Sequence, residues 1–386
     1  MQSPFFVWLL ISAAASAVAA VALVVTKLSH RLLLRWQGVR KARYVAALGE
    51  MISRRVVPHG ITPGWAEDPL FHDAVAEYRL TLSGEEHAYI DRLVETLGIL
   101  EKLRERIGRR WLSRSRRLRA VAAFVDLAAE SSIPVLRSLL RDSNQYVVLH
   151  AAKGLSRLDD LESVPHILDQ ITEAPEWHSA RLGDALMGFG LPAGPAVRSW
   201  IRRQLVEEDP STNTVSLAAR VLGRIGDTEA EPLLLELLAS PEPEWRVAAA
   251  SALGRCGGRE AVIALEKALE DDYWPVRARA AAGLGRLADP TSSRKLAPLL
   301  TDPVWWVRQN AAKAIGSLPG GRLELVRALG GPDTYAADAA LHQLTMLGAV
   351  KEAADRYDMG TATVTDLDLL SHAERMASSV SAVTAP

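Results

Sequence analysis

The chain has 386 residues, 48% of them hydrophobic, and a formal net charge of −1. This is ample for a packed core and too long for one compact domain. The single cysteine, Cys256, excludes an internal disulfide, and a lone thiol fits a reducing compartment.

The near-zero total charge hides an asymmetry along the chain. Residues 1–120 carry 19 Lys and Arg against 11 Asp and Glu, a net charge of +8. Residues 121–386 carry 26 against 35, a net charge of −9. A basic segment followed by an acidic one indicates that the two face different surroundings.

A membrane anchor is predicted over residues 1–26. The stretch 4–25 has 22 residues and no charge, which as a helix spans about 33 Å, enough for a hydrocarbon core of about 30 Å. A cleaved signal peptide is the alternative, but such peptides have a basic stretch before an apolar run of roughly 7–15 residues. Only three residues precede this longer run, so we favour an uncleaved anchor.

The charges after the anchor predict its orientation, because Lys and Arg near a span stay on the cytoplasmic side. Six basic residues come before the first acidic one, Glu50: Lys27, Arg31, Arg35, Arg40, Lys41 and Arg43. We therefore expect a single-pass protein of the plasma (inner) membrane, with its N-terminus outside and the rest cytoplasmic. These six residues are candidates for contact with the membrane surface.

Two helical segments are predicted between the anchor and residue 115. Residues 27–57 form a basic juxtamembrane helix that either lies along the inner leaflet or carries charges that only set topology; both interpretations stay open. Residues 58–114 form a helical linker region. In it Ser83 and Glu86 fit a capping box, followed by an amphipathic helix of some 24 residues that reaches Ile107.

Eight arginines lie within 16 residues near the end of this region. Four of them are candidate phosphate or anionic-lipid ligands: Arg109, Arg110, Arg116 and Arg117. A solvated helix face close to the membrane is the alternative. Because no aromatic residues interleave with the arginines to stack on bases, we expect no nucleic-acid partner.

A regular repeat dominates the second half of the chain. Gly223, Gly254, Gly285 and Gly316 follow one another at intervals of 31 residues. A fixed period of this size is typical of a solenoid, whose units bury their apolar faces by stacking. Each unit reads as an Ala-rich helix followed by a Leu-rich one, so the predicted fold is all-α: a solenoid of seven or eight helical hairpins over residues 115–358, with a short helix and a disordered tail over 359–386.

The units resemble HEAT repeats, specifically the short bacterial kind named after phycobilisome lyases. The matching pattern is Val-Arg, then Ala-Ala and Ala-Leu-Gly, with Asp before the next unit. The resemblance implies a structural ladder that joins each Asp to the Arg six residues later. Two such pairs are Asp271 with Arg277, and Asp302 with Arg308; Ser240 stands where the Asp ahead of Arg246 is expected and predicts a break there.

No catalytic, metal or cofactor site is predicted. The di-iron hydroxylases of this architecture resemble one another in carrying paired His-Glu dipeptides on successive helices. No His-Glu dipeptide occurs in this chain. None of the nine histidines pairs with another at helical spacing. Cys256 has no nearby His to activate it and is interpreted as a bystander.

Aromatic residues fall where one unit turns into the next, and they are the candidate partner-binding residues: Trp274, Trp305 and Trp306, with Asn310 for a polar contact. Together they can form an aromatic edge that binds a helix or loop of a partner. Alternatively each fills its own turn, which we favour for Trp274 and Trp305. Trp306 is expected to be the most exposed.

The predicted function is that of a membrane-anchored cytosolic scaffold or adaptor, without enzymatic activity, for a protein partner. By resemblance to anchored bacterial HEAT-repeat proteins, the partner is an envelope or membrane-associated enzyme such as a glycosyltransferase. Two alternatives stay open. One is a lyase-like enzyme that handles a small molecule or pigment, and the other is a binder of anionic lipid.

Overall fold

The computed structural model describes residues 35–54, 64–109, 113–173, 175–207 and 210–384, and every regular element in these ranges is helical. The first four helices are α1 (35–54), α2 (Pro69–Thr81), α3 (Gly84–Thr96) and α4 (Ile99–Gly108). None of the helices in these ranges is long and apolar enough to cross a membrane. The predicted anchor over residues 1–26 lies outside the described residues.

Eight helix pairs follow one another between Arg114 and Asp358. They are α5 (Arg114–Asp126) with α6 (Ile133–Leu139), α7 (Gln145–Arg157) with α8 (Val164–Glu173), α9 (Glu176–Met187) with α10 (Gly194–Gln204), α11 (Thr212–Ile225) with α12 (Glu231–Leu238), α13 (Pro243–Cys256) with α14 (Arg259–Lys267), α15 (Trp274–Leu287) with α16 (Ser292–Leu296), α17 (Trp305–Ser317) with α18 (Gly321–Leu329), and α19 (Thr334–Met346) with α20 (Ala349–Asp358). A last helix, α21, covers Val364–Thr384. The chain divides into two compact units, and the division falls between Gly154 and Leu155 of α7.

The first unit has its own core, to which the region before the repeats contributes. Leu48, Phe71 and Ile90, from α1, α2 and α3, are completely buried. Tyr44 of α1 packs edge-on against the Phe71 ring, with centroids 5.4 Å apart. The described part of residues 58–114 is therefore folded core and not a linker, because its apolar side chains bury one another.

Arg79 ties this region to the first repeat. Its Nε donates to Asp91 Oδ1 on α3 at 2.8 Å. Its Nη1 donates to the carbonyl oxygens of Asp126 and Ala128, at 3.2 and 3.1 Å. Hydrogen bonds to a charged donor satisfy carbonyl groups that the end of α5 leaves without a helical partner.

The predicted 24-residue helix is divided into α3 and α4. Gly98 lies between them in the left-handed region, with φ of 58°, a conformation that glycine adopts without the penalty a side chain brings. The predicted capping box is also wrong, because the Ser83 side chain makes no capping hydrogen bond. The apolar periodicity continues across Gly98, which is why the sequence pattern does not reveal the break.

The 31-residue period of the second unit is explained by close contact between the first helices of successive pairs. A Cβ atom on Gly254 of α13 would lie 2.3 Å from the Cα of Gly283 on α15. A Cβ on Gly223 of α11 would lie 2.5 Å from the Cα of Ala252 on α13. Such distances are far below contact distance, so glycine is required at these two contacts between first helices. The second helices pack Leu233, Leu234 and Leu237, or their counterparts, behind this layer.

The C-terminal helix is longer than the sequence indicates. Disorder is predicted from about Ser378, whereas α21 runs to Thr384. The segment between these residues contains no Gly or Pro that would end a helix. At its start, Arg356 of α20 forms an ion pair with Asp366, and its Nε lies 3.0 Å from Asp366 Oδ2.

Candidate protein-binding site

A ladder of arginine–aspartate pairs joins successive turns between hairpins of the second unit. Arg246 binds both carboxylate oxygens of Asp271, 25 residues on, at 2.8 and 2.9 Å. Arg277 binds Asp302 in the same way, at 2.8 and 3.1 Å. These two-point pairs fix the direction of each guanidinium as well as its position.

The spacing of the ladder differs from the sequence prediction. At a spacing of six, the arginine contacts a backbone carbonyl and not a carboxylate: Arg277 Nη1 donates to the Asp271 carbonyl at 2.8 Å, and Arg308 Nη1 to that of Asp302 at 2.8 Å. Arg246 Nη1 reaches the Ser240 carbonyl at 3.2 Å. The predicted break at Ser240 is therefore wrong, because any residue supplies a backbone carbonyl.

The same arrangement occurs in the first unit and changes the role of Arg117. Arg117 binds both oxygens of Asp142, again 25 residues on, and its Nε donates to the Ile107 carbonyl at 3.0 Å. The hydrogen bond to Asp142 raises the pKa of the guanidinium above its ordinary value. Arg117 is thus held inside the protein, and its assignment as a phosphate ligand is corrected.

Of the other three phosphate candidates, the structure describes two. Arg109 lies 3.6 Å from Glu105 on the surface of α4, and Arg116 is exposed on α5. Arg110 lies outside the described residues.

Four of the six membrane-surface candidates lie on α1, among the described residues. Arg40 pairs with Asp68 at 2.8 Å and Lys41 with Glu77 at 2.9 Å, so these two hold α1 against the following segment. Arg35 and Arg43 are exposed on the same helix. Lys27 and Arg31 lie outside the part of the chain that the structure describes.

The exposed aromatic residues form the candidate site. We call them the aromatic edge: Trp274, Trp305, Trp306 and Tyr335, with 39, 51, 57 and 63% of their surfaces exposed. They lie in the first turns of three successive first helices, α15, α17 and α19. Trp305 and Trp306 contact each other in a T-shaped arrangement with centroids 4.6 Å apart. Large indole surfaces left in solvent at one edge are typical of sites that bind another protein.

The exposures revise the predicted roles of these residues. Trp274 and Trp305 do not simply fill their turns, because 39% and 51% of their surfaces remain in solvent. Trp306 is the most exposed of the three tryptophans, as expected. Asn310 uses its amide nitrogen to donate to the Trp306 carbonyl at 2.8 Å, so it braces the helix beneath that indole.

Tyr335 belongs to the aromatic edge but is not among the residues predicted from the sequence. Its position in the repeat is a signal that could have identified it. It follows Asp333 by two residues, the same place that Tyr273 occupies after Asp271. The guanidinium of Arg308 lies 4.8 Å from the centroid of the Tyr335 ring. The two preceding ladder arginines, Arg246 and Arg277, bind an aspartate, whereas Arg308 makes this cation–π contact. The contact orients the Tyr335 ring at the aromatic edge.

A second set of residues became apparent only from the fold. Arg224, Arg255 and Arg286 follow the periodic glycines directly and are exposed on α11, α13 and α15. We call them the arginine row. The repeated Gly-Arg dipeptide was the available signal.

Three further features concern the alternative of an enzyme that handles a small molecule: a groove, the cysteine and the placement of metal-ligating side chains. A groove of about 740 Å³ lies between the ends of α12 and α14, lined by Leu235, Leu238, Ala264 and Lys267 among others. Cys256 is buried, and burial raises the pKa of its thiol to about 11. The described residues contain no group of three or more His, Cys, Asp or Glu side chains placed to hold a metal ion.

HEAT repeats are detected over residues 102–186, 201–282 and 264–345, which together cover more than half of the chain. No curated protein matches this chain. A solved structure of Kap95p, whose binding induces the switch loops of RanGDP to adopt the GTP-bound conformation, is 14% identical, with 86% of this chain and 55% of that chain covered and a TM-score of 0.50.

Two further solved structures are similar. Kap121p bound to Pho4p is 16% identical, with 77% of this chain and 38% of that chain covered and a TM-score of 0.48. Human deoxyhypusine hydroxylase in complex with glycerol is 18% identical, with 66% and 98% covered and a TM-score of 0.28. At these identities a likeness concerns the fold alone, and the TM-scores of these two structures are too low to support an argument.

Proposed function

This chain belongs to the HEAT-repeat family, and we propose that it is a non-enzymatic scaffold that holds a protein partner at the aromatic edge. The observation that carries the proposal is the exposure of Trp305 and Trp306, at 51% and 57%, on a helix whose opposite face is fully packed. A solenoid gains stability by stacking its units, which leaves its edges available to a partner. In Kap95p, a protein of similar fold, binding acts on RanGDP.

The energetics favour the two tryptophans as anchors. Binding sites between proteins concentrate their free energy in a few residues, and tryptophan, tyrosine and arginine predominate among them. The T-shaped contact between the two indoles restricts both rings before a partner arrives. A rigid side chain loses less conformational entropy on binding than a freely rotating one.

We further propose that the scaffold works at the inner membrane, with the segment 4–25 as its anchor and a membrane-associated enzyme, such as an envelope glycosyltransferase, as its partner. The exposed side of α1 supports this placement. Arg35 and Arg43 accompany Trp36 and Val39, which are 57% and 64% exposed. Basic residues beside apolar ones at a helix surface suit the interface of an anionic leaflet.

Affinity capture from detergent-solubilised membranes tests the proposed function. The variant Trp305→Ala/Trp306→Ala should lose the captured partner, with binding weakened by at least about a hundredfold, the effect of removing two hot-spot residues. Ile263→Ala is the matched control, because Ile263 is 61% exposed on the second helix α14. Equal recovery of the partner by the double variant and the control would overturn the assignment of the edge.

A further inference from the structure

The arginine row crosses three neighbouring helices at one level. Arg224, Arg255 and Arg286 are equivalent residues of α11, α13 and α15, which the periodic glycines hold in close contact. Arg286 lies across the helix before it, since its Nε donates to the Gly254 carbonyl at 3.1 Å. The three arginines therefore recur at equivalent positions along the stacking direction.

Further cations flank the row on the same solvent-facing side. They are Arg220 on α11, Arg279 on α15 and Lys313 on α17, all exposed. Among the described residues, none of these six basic side chains has a carboxylate partner within 4.0 Å. The ladder arginines, by contrast, are all engaged, so the row and its flanks carry positive charge that no ion pair among the described residues neutralises.

Like charges on neighbouring first helices act on one another along this side. Burial lowers the pKa of Arg220, although the residue is exposed; Glu244 opposes that effect and Arg279 adds to it. Arg279 belongs to α15, two first helices away from α11. Burial likewise lowers the pKa of Arg286, and Arg255 and Arg279 add to the effect. These side chains therefore reach solvent and still act electrostatically on like charges of other first helices.

We propose that the arginine row binds an extended acidic segment of the protein partner, in which a carboxylate recurs at every third residue. Packed helices lie about 8–10 Å apart. A polyproline II segment advances about 9 Å in each three-residue turn, so every third side chain faces the next arginine. Arginine forks bind carboxylates at two points, and the bound anions relieve the repulsion within the row.

A peptide suits this surface better than a nucleic acid. Residues 121–386 carry a net charge of −9, and a polyanion longer than the row meets that negative surface on either side. An acidic segment of about seven residues covers the row and ends there. The row itself has no aromatic side chain on which bases would stack.

The test uses fluorescence anisotropy of labelled peptides with the full-length chain at low salt. One peptide carries Glu at every third position, separated by Pro and Ser. A second has the same composition with its glutamates contiguous, and a short single-stranded oligodeoxynucleotide has the same net charge. The row variant is Arg224→Gln/Arg255→Gln, which leaves Arg286 and its bond to Gly254 in place. The control is Arg294→Gln/Lys295→Gln, which changes the same charge at two exposed residues of α16.

The spaced peptide should bind several-fold more tightly than the contiguous one, and the row variant should weaken its binding by at least about tenfold, as expected for the loss of two charge-assisted contacts. The control should bind like the unmodified chain. Equal affinities of the two peptides, equal losses in both variants, or tighter row-dependent binding of the oligonucleotide would overturn the inference. Although the inference rests on the proposed role as a scaffold, Trp305→Ala/Trp306→Ala should leave peptide binding unchanged, so the failure of either idea is recognisable by itself.

Discussion

Arg277 binds Asp302, in the turn before the following hairpin, with two nitrogens at 2.8 and 3.1 Å, while a third nitrogen donates to the Asp271 carbonyl at 2.8 Å. One side chain thus connects two successive turns of the second unit. Both partners are mostly buried, with side-chain exposures of 15% and 7%. The pair belongs to the interface between hairpins, where a solenoid obtains much of its stability.

Removing this arginine should weaken the interface strongly. In Arg277→Ala the Asp302 carboxylate stays buried without its partner, and the free energy of unfolding should fall by about 3 kcal/mol. Chemical denaturation followed by circular dichroism measures the change. Arg327→Ala is the control, since Arg327 is 61% exposed in its pair with Glu324 and should cost less than about 1 kcal/mol. Equal losses in the two variants would contradict a structural role for the ladder.

Gly254→Ala should destabilise the second unit by overpacking. The new methyl group would lie 2.3 Å from the Gly283 Cα, and backbone must move to admit it, at a cost of about 1–3 kcal/mol. Gly38→Ala in α1 is the matched control, because nothing lies within 4 Å of its added Cβ. That change should be neutral or stabilising by up to about 1 kcal/mol. Thermal unfolding distinguishes the two, and a harmless Gly254→Ala would show that the first helices are not in close contact.

The pair between Arg356 and Asp366 should make the start of α21 sensitive to acid. The Arg356 guanidinium, together with the Thr363 backbone N–H, holds the pKa of Asp366 well below its usual value. A lowered folded-state pKa contributes stability that is complete above the unfolded-state pKa of about 3.9 and is lost as the pH falls from there towards the folded value. Asp366→Asn should therefore be less stable than the unmodified chain at neutral pH, with a difference that shrinks below about pH 4.

Hydrogen exchange of α21 amides across this pH range measures that difference. Asp368→Asn, at an exposed residue of the same helix, is the control and should behave like the unmodified chain. A difference between Asp366→Asn and the unmodified chain that stays constant down to pH 3 would contradict the assignment.

Cys256 should be inert towards alkylation in the folded protein. Burial raises the pKa of its thiol from 9.0 to about 11, which lowers the thiolate fraction at pH 8 by about a hundredfold. The thiol also donates to the Ala252 carbonyl at 3.4 Å. Reaction with iodoacetamide, followed by mass spectrometry, should be slow in the native state and fast in urea. Equal rates in both would indicate an accessible, reactive cysteine.

Periodicity made much of the fold predictable, because the constraint behind it repeats. Gly223 and Gly254 each meet the next first helix at the same point, so the spacing of glycines in the sequence reports the spacing of contacts in the structure. The number of hairpins follows from that period. The division of one predicted helix into α3 and α4 at Gly98 was not predictable, because a glycine within an amphipathic pattern leaves the apolar face continuous.

The site was predictable only in part, because its geometry depends on pairing between distant residues. The Arg277 side chain has one carboxylate 25 residues ahead and one backbone carbonyl six residues behind, and spacing within a unit suggested only the latter partner. The sequence does not reveal that Asp142 binds Arg117, because the two residues are 25 positions apart. Tryptophans at the turns were identifiable, but their exposure depends on what neighbouring turns leave uncovered.

Site-specific photocrosslinking in intact cells tests most directly whether the chain works by holding a partner at the aromatic edge. A photoreactive phenylalanine analogue replaces Trp306 in one strain and Ile263, which is 61% exposed on α14, in another. The proposed function predicts one discrete adduct with a membrane-associated protein at position 306 and none at position 263. The absence of an adduct at 306, or the same adducts at both positions, would contradict it.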